Sequence, residues 1–302
     1  MQELVEKLER IVGVDNVLVN EPMSAHTTFK IGGPADAMVV PHALDEILKV
    51  VRLCHNNEVE LRIIGCGSDL LVSDAGLRCV VMKIADNFAG IRVLDDGTVM
   101  VQAGATNAAV AEAVCEAGFA GYEFACGIPG TIGGAAIMNA GAYDGCFADV
   151  AESVNCLTPD GHVVCLQSSE AEWGYRQSLM DRAGLVVLTA VLKLTPDSPE
   201  AIRARMDELN QRRADKQPLE LPSAGSTFKR PEGYFAGKLI QDAGMQGHRV
   251  GGAEVSRKHA GFIVNADGAT ASDVRQVIAD VQDAVRTQFG VELEPEVRMW
   301  GF

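Results

Sequence analysis

The stretch Gly127-Ile128-Pro129-Gly130-Thr131-Ile132-Gly133-Gly134-Ala135-Ala136-Ile137-Met138-Asn139-Ala140-Gly141 decides how this chain reads. It lies in a segment, residues 121–145, that holds seven glycines in twenty-five positions. Glycine lets a backbone approach a ligand with no Cβ in the way, and a run of such residues presents main-chain N–H groups to an anion. A second glycine turn lies upstream, Gly65-Cys66-Gly67-Ser68-Asp69-Leu70. Two such loops point to a cofactor that carries phosphate. The upstream turn begins like a dinucleotide-binding G-x-G-x-x-G, but Leu70 stands where the third glycine belongs. Leu71-Val72-Ser73-Asp74 does not read as a helix start, and no G-x-x-x-x-G-K-[ST] occurs. Neither a Rossmann nor a Walker loop is supported.

Working outward from these loops, the pattern is a mixture of helices and hairpins. Leu4, Val5, Leu8, Ile11 and Val12 share one helical face over residues 1–12. Residues 38–40 are extended, and residues 44–56 read as a helix. A buried strand over residues 61–64 runs into the first glycine turn, and residues 79–84 form another strand. Residues 91–94 and 98–102 alternate around Asp95-Asp96-Gly97, a hairpin signal, and residues 153–157 and 162–166 repeat it around Pro159-Asp160-Gly161. A small-residue helix over 106–117 ends at Gly118. The long glycine stretch reads as a loop. Residues 185–194 form a β-branched strand. Beyond the break Pro196-Asp197-Ser198-Pro199 come helices at 200–216, 236–243 and 272–289, the last capped by Ser272 or Thr270 and ended by Gly290. Strands are expected near 249–255 and 262–265, with a closing strand at 291–299. Frequent hairpins and irregular alternation favour α+β over a doubly wound parallel sheet. The expected division is a lead-in at 1–25, a cofactor domain at 26–197 and a second domain at 198–302.

The chain has 302 residues, 47% apolar and 22% charged, which suits a globular enzyme of about two domains. A net charge of −15 argues against a nucleic-acid partner, which needs a basic face. None of the eight cysteines forms C-x-x-C, and none pairs with histidine at zinc spacing, so reduced thiols and no metal are expected. The charged, amphipathic start lacks the apolar stretch of a signal peptide, and no apolar run reaches membrane-spanning length. These features place the chain in the cytoplasm with no membrane span.

An ordered set of further motifs carries a resemblance. Thr28-Phe29-Lys30-Ile31-Gly32-Gly33-Pro34-Ala35, the two glycine loops, Tyr175-Arg176-Gln177-Ser178, Ala224-Gly225-Ser226-Thr227-Phe228-Lys229-Arg230-Pro231, the stretch 244–252, Lys258-His259-Ala260-Gly261-Phe262-Ile263-Val264-Asn265 and Leu293-Glu294-Pro295-Glu296-Val297-Arg298 follow one another along the chain. Together they closely resemble the UDP-N-acetylenolpyruvoylglucosamine reductases, in the short form often called type II. The resemblance runs from about Thr27 to Arg298. It implies a two-subdomain FAD-binding domain of the vanillyl-alcohol-oxidase (PCMH) type and a smaller C-terminal α+β substrate domain. It also implies tightly but non-covalently bound FAD, NADPH as co-substrate, a UDP-sugar substrate, a role in peptidoglycan precursor synthesis, and a monomer or weak oligomer. The cofactor residues it implies are Gly65, Cys66, Gly67, Ser68, Asp69, Leu70, Gly127, Pro129, Gly130, Thr131, Gly133, Gly134 and Asn139. The family usually has Asn where this chain has Asp69, and a carboxylate beside a pyrophosphate is unfavourable unless it points away or accepts N–H bonds.

The implied reaction passes hydride from NADPH to FAD and then to C3 of an enolpyruvyl group, with a proton going to C2. Charge developing on C2 and the adjacent carboxylate needs a cation and an acid. Ser226 matches the family's proton donor, Arg176 its catalytic arginine and Glu296 its catalytic glutamate. Guanidinium offers a planar fork suited to a carboxylate turning into an enolate. Lys216, Lys229 and Arg230 are candidates for the UDP diphosphate and the substrate carboxylate, Tyr175 is a candidate to pack on the flavin or the substrate with core packing as its alternative, and His259 is read as structural. Two other readings remain beside this one: a flavin oxidase on the same fold, and a sugar-nucleotide-binding regulator without catalysis.

Overall fold

A computed structural model describes residues 2–302. Its helices are α1 (Gln2–Val12), α2 (Leu44–Asn56), α3 (Asn107–Glu116), α4 (Ile132–Met138), α5 (Leu179–Arg182), α6 (Pro199–Lys216), α7 (Ala236–Asp242) and α8 (Ala271–Phe289). The chain forms two compact units and passes between them repeatedly. The first unit comprises residues up to Val19, 37–66 and 79–212, and the second residues 20–36, 67–78 and 213–302. The expected break at residues 196–199 falls inside the first unit, just ahead of α6.

The longer strands of the first unit, three of which run two or three residues past its bounds, belong to two sheets. One has the strand order Val17–Pro22, Pro34–Val39, Leu77–Lys83, Leu61–Ile64, and its last two strands run parallel. The other is a five-stranded antiparallel sheet in the order Val163–Gln167, Ala151–Leu157, Val186–Lys193, Thr98–Gln102, Ile91–Val93. Both hairpins read from the sequence are present within it. Leu4, Leu8 and Val12 are buried along one stripe of α1, and Ile47, Val50, Val51 and Cys54 along α2. Thr106 caps α3 by accepting a bond from the Ala109 N–H. All eight cysteines lie outside any disulfide, and five are buried.

The second unit has its own apolar core. Val274, Val277, Ile278, Val281 and Val285 of α8 pack with Leu239, Ile240, Val255, Ile263, Phe29 and Leu71. A three-stranded antiparallel sheet, Arg249–Val250, Ala253–Val255 and Ile263–Asn265, lies against α8. A parallel pair joins Leu70–Val72 to Arg298–Trp300. Helix α8 is capped twice. Thr270 and Asp273 form a reciprocal capping box. The Asp74 carboxylate also accepts the N–H groups of Ala271 at 2.7 Å and Ser272 at 3.0 Å. Gly290 closes the helix in the left-handed region, as expected.

Two expectations are corrected. The stretch 127–141 is not all loop, because α4 forms within it. Thr131 supplies the cap, and Ala135, Ala136, Ile137 and Met138 supply helix-compatible residues, which outweigh the glycines at the start. The strand expected over 291–299 is reduced to Arg298–Trp300. Pro295 has no N–H to give a ladder, and its pairing with Phe228 stays an isolated bridge.

Candidate active site

In the first unit the two glycine loops meet. A Cβ built on Gly65 would fall 2.4 Å from Thr131 Oγ1, so only glycine permits this approach. Thr131 is 3% exposed, and the residues after it fold onto the chain leaving the Thr98–Gln102 strand. The Ile132 N–H donates to the Ala105 carbonyl and the Gly133 N–H to the Ala103 carbonyl, both at 2.8 Å. At Gly134, by contrast, an added Cβ would meet only Thr131 Oγ1, at 3.8 Å. The loop is therefore closed on its protein side and open on the Gly134 side. That is the shape a large ligand lying against the main chain requires, and it fits an FAD pyrophosphate. Gly130 has a φ of 114°. Burial pushes the Cys66 thiol above its ordinary pKa, which keeps it neutral within the upstream turn.

One residue of this cradle was missed in the sequence. Asn107 is 1% exposed at the start of α3. Its Nδ2 reaches the carbonyls of Ile128 and Gly130, each at 3.4 Å, and its Oδ1 accepts the buried Tyr122 hydroxyl at 2.8 Å. A polar side chain on the apolar side of a small-residue helix was the available signal.

Arg176 sits in a tight turn in which Gly174 and Gln177 exchange main-chain bonds at 3.1 and 3.3 Å. Its φ is 56°, a left-handed conformation that is strained for a residue with a side chain. The guanidinium carbon stands 5.0 Å from the ring centre of exposed Tyr175, and Nη2 donates to the Gly141 carbonyl at 3.4 Å. Asn139, read as a cofactor residue, ends α4 in the same left-handed region. Its amide bonds to Gly174 and Ala148 within the protein.

In the second unit the loop that carries Ser226 pairs through its main chain with the segment that carries Glu296. The Glu296 N–H donates to the Thr227 carbonyl at 2.8 Å, and the Lys229 N–H donates to the Glu294 carbonyl at 2.9 Å. Ser226 is exposed, beside Gly225, whose φ of 75° bends the chain there. Thr227 is the anchor that the sequence reading missed. It is 1% exposed, its N–H donates to the Gly261 carbonyl at 2.8 Å, and its Oγ1 accepts the Ile263 N–H at 3.0 Å. Among the substrate candidates, Lys229 pairs with Glu294 at 2.5 Å, and Arg230 lies 4.0 Å over the Phe235 ring. Exposed Lys216 ends α6. Burial first, and Lys216 second, hold the His259 pKa below its ordinary value. The Nδ1 of His259 accepts the Gly261 N–H at 3.1 Å, the structural role expected of it.

The Gly67–Leu70 part of the upstream turn also lies in this unit. A Cβ on Gly67 would fall 2.2 Å from the His26 carbonyl, so this turn packs on the 26–28 segment. The Asp69 carbonyl accepts the Arg298 N–H at 2.9 Å, and Asp69 Oδ2 lies 3.9 Å from Arg298 Nε. The carboxylate that departs from the family pattern is thus turned toward a cation of its own unit. No cluster of metal ligands occurs among the described residues, and no helix among them is long and apolar enough to cross a membrane.

This architecture and its glycine cradle define an FAD-dependent oxidoreductase of α+β build. A family model described as an FAD binding domain matches residues 35–167, and one described as the C-terminal domain of UDP-N-acetylenolpyruvoylglucosamine reductase matches residues 217–300. A solved variant of Phl p 4, described as a glucose oxidase, shares the fold at 16% identity with a TM-score of 0.51, over 65% of this chain and 44% of its own. The chain belongs to the UDP-N-acetylenolpyruvoylglucosamine reductase family. It is 49% identical to the enzyme of that name from Lachnoclostridium phytofermentans, over 99% of this chain and 97% of the relative. It is 46% identical to that from Clostridium botulinum, with the same coverage. The crystal structure of the Thermus caldophilus reductase superposes with a TM-score of 0.80 at 33% identity, over 94% of this chain and 98% of that one.

Proposed function

We propose that this chain reduces UDP-N-acetylenolpyruvoylglucosamine to UDP-N-acetylmuramate in peptidoglycan precursor synthesis, with NADPH as the electron source. The chemistry supplied by bound FAD is the relay of a hydride, taken from NADPH and delivered to C3 of the enolpyruvyl group. Gly65 to Leu70, together with Gly127, Pro129, Gly130, Thr131, Gly133 and Gly134, form the bed for the pyrophosphate, with Gly133 bonded to Ala103 and Pro129, which has no N–H, shaping the loop rather than donating to the phosphate. The Ser226 hydroxyl holds the proton destined for C2. Arg176 carries the positive charge that the substrate carboxylate needs as C2 becomes electron-rich. Glu296 supplies a second acidic group at that end of the substrate. Lys216, Lys229 and Arg230 hold the diphosphate and carboxylate, and Tyr175 packs beside Arg176 against the substrate. The enzyme works in the cytoplasm.

The observation that carries this reading is the Glu296 to Thr227 main-chain bond. It supports a shared task for a serine and a carboxylate seventy positions apart in the chain. The oxidase reading gives no task to that arrangement. The test is anaerobic absorption spectroscopy of the purified holoenzyme. NADPH should bleach the flavin bands, and the enolpyruvyl substrate should restore them without oxygen. Colourless protein that takes up no added FAD, or a bleached flavin that only oxygen restores, would refute the proposal.

A further inference from the structure

The turn that carries Arg176 is fastened to the C-terminal end of α4, the helix that leaves the glycine cradle. Asn139 makes the central fastening. Its Nδ2 donates to the Gly174 carbonyl at 3.1 Å, and its Oδ1 accepts the Ala148 N–H at 2.9 Å. The side chain is 8% exposed, so these bonds are sheltered from water. One residue along from Gln177, fully buried Ser178 donates from Oγ to the Ile137 carbonyl at 2.8 Å and accepts the Asp181 N–H at 3.2 Å. Arg176 itself donates to Gly141. Residues 137, 139 and 141 thus hold residues 178, 174 and 176 in that order. The Gly174 carbonyl that Asn139 grips is also the one that accepts the Gln177 N–H and closes the turn.

Two left-handed residues face each other across this junction, Asn139 with a φ of 41° and Arg176 with 56°. Asparagine tolerates that conformation better than most side chains, and its amide offers a donor and an acceptor at the same time. Aspartate would keep the acceptor for Ala148 but turn a carboxylate oxygen toward the Gly174 carbonyl. Arginine has no such tolerance, so its turn must be held from outside. We propose that Asn139 is a positioning residue for Arg176: by gripping the Gly174 carbonyl it holds the Arg176 turn at a fixed place relative to the cofactor loop. Asn139 therefore acts through Arg176 rather than as a ligand of the cofactor. This inference rests on the reading of Arg176 as the cation that meets the substrate carboxylate.

The experiment compares Asn139→Asp, Asn139→Gly, Arg176→Ala and the double variant Asn139→Asp/Arg176→Ala as holoenzymes. Flavin content is read from absorbance, and both half-reactions from anaerobic stopped flow. Asn139→Asp should keep its flavin and its rate of reduction by NADPH. Its flavin reoxidation by the enolpyruvyl substrate should slow on the order of 10- to 100-fold, as expected for a displaced charged group. In the Arg176→Ala background the same substitution should cause no further slowing. Asn139→Gly keeps the left-handed backbone and loses the amide, so it should behave like Asn139→Asp even if the aspartate variant folds poorly. Loss of flavin from either variant, unchanged reoxidation, or equal slowing in both backgrounds would overturn the inference while leaving Arg176 in place. Normal reoxidation by Arg176→Ala would instead overturn the role of Arg176, and the inference with it.

Discussion

The Glu296 N–H donates to the carbonyl of Thr227, and this 2.8 Å bond sets a carboxylate six residues from the chain end beside the loop that begins at Ser226. The two residues adjoin a single main-chain pairing, which fixes where their backbones stand relative to each other. A proton donor in place contributes on the order of 10²- to 10⁴-fold to a rate. Ser226→Ala should therefore keep flavin reduction by NADPH and slow reoxidation by the enolpyruvyl substrate within that range. Anaerobic stopped flow separates the two steps, and wild-type reoxidation would remove Ser226 from proton transfer.

Removing residues 296–302 should abolish turnover, but it would also delete the Arg298–Trp300 strand that pairs with Leu70–Val72. The point variant Glu296→Gln is the sharper test, because it leaves the Thr227 bond and the strand intact. Its thermal midpoint should match wild type while turnover falls. A variant that turns over normally would show the carboxylate to be dispensable.

Thr227 is the anchor of this arrangement, and its hydroxyl accepts the Ile263 N–H at 3.0 Å. Thr227→Val preserves shape but strands a buried donor, which costs about 1–3 kcal/mol. A thermal or denaturant unfolding curve should show that loss in the second unit. An unchanged midpoint would mean that Ile263 finds another partner.

The elements with strong periodicity were legible, and the α+β class with them: α1, α2, α8 and both hairpins lie where the pattern placed them. Helix α4 was hidden because Gly133 and Gly134 have poor helix propensity, which the Thr131 cap and the residues from Ala135 to Met138 outweigh. The final strand was overread because Val291, Leu293 and Val297 alternate convincingly, although Pro295 interrupts the ladder. At the site, the catalytic candidates came from resemblance, whereas Asn107 and Thr227 went unnoticed. Both are polar residues whose work is to hold main chain; Asn107 offered only its place on the apolar side of a small-residue helix, and nothing in the sequence distinguishes Thr227 from an ordinary surface polar group. Asn139 was noticed in the right stretch, but its amide is engaged by Gly174 and Ala148.

Asp69 tests how the cradle grips its cofactor. Its carboxylate lies 3.9 Å from Arg298 Nε, and both side chains are about one-third exposed, so the pair contributes about 0–1 kcal/mol. If main-chain groups hold the pyrophosphate, Asp69→Asn should change FAD affinity by no more than a few-fold, on the scale of one exposed pair. Flavin fluorescence titration of the apoprotein measures this directly. A large loss of affinity would show that the carboxylate is needed.

His259 links acidity to the Ser226 loop. Burial and Lys216 both disfavour its charged form, so its folded pKa lies below the ordinary 6.5. The unfolded chain consequently binds more protons than the folded one between those two values, and stability falls as pH drops below 6.5 until the folded pKa is reached. Protonation also removes the Nδ1 lone pair that accepts the Gly261 N–H, and the Gly261 carbonyl is what the Thr227 N–H grips. Acidification from pH 7 toward 5 should lower the thermal midpoint of the wild type. His259→Gln, which cannot take up the proton, should lose much of that slope while giving up some stability at pH 7. Midpoints recorded at several pH values for both proteins decide the matter, since parallel slopes would place the acid-sensitive group elsewhere.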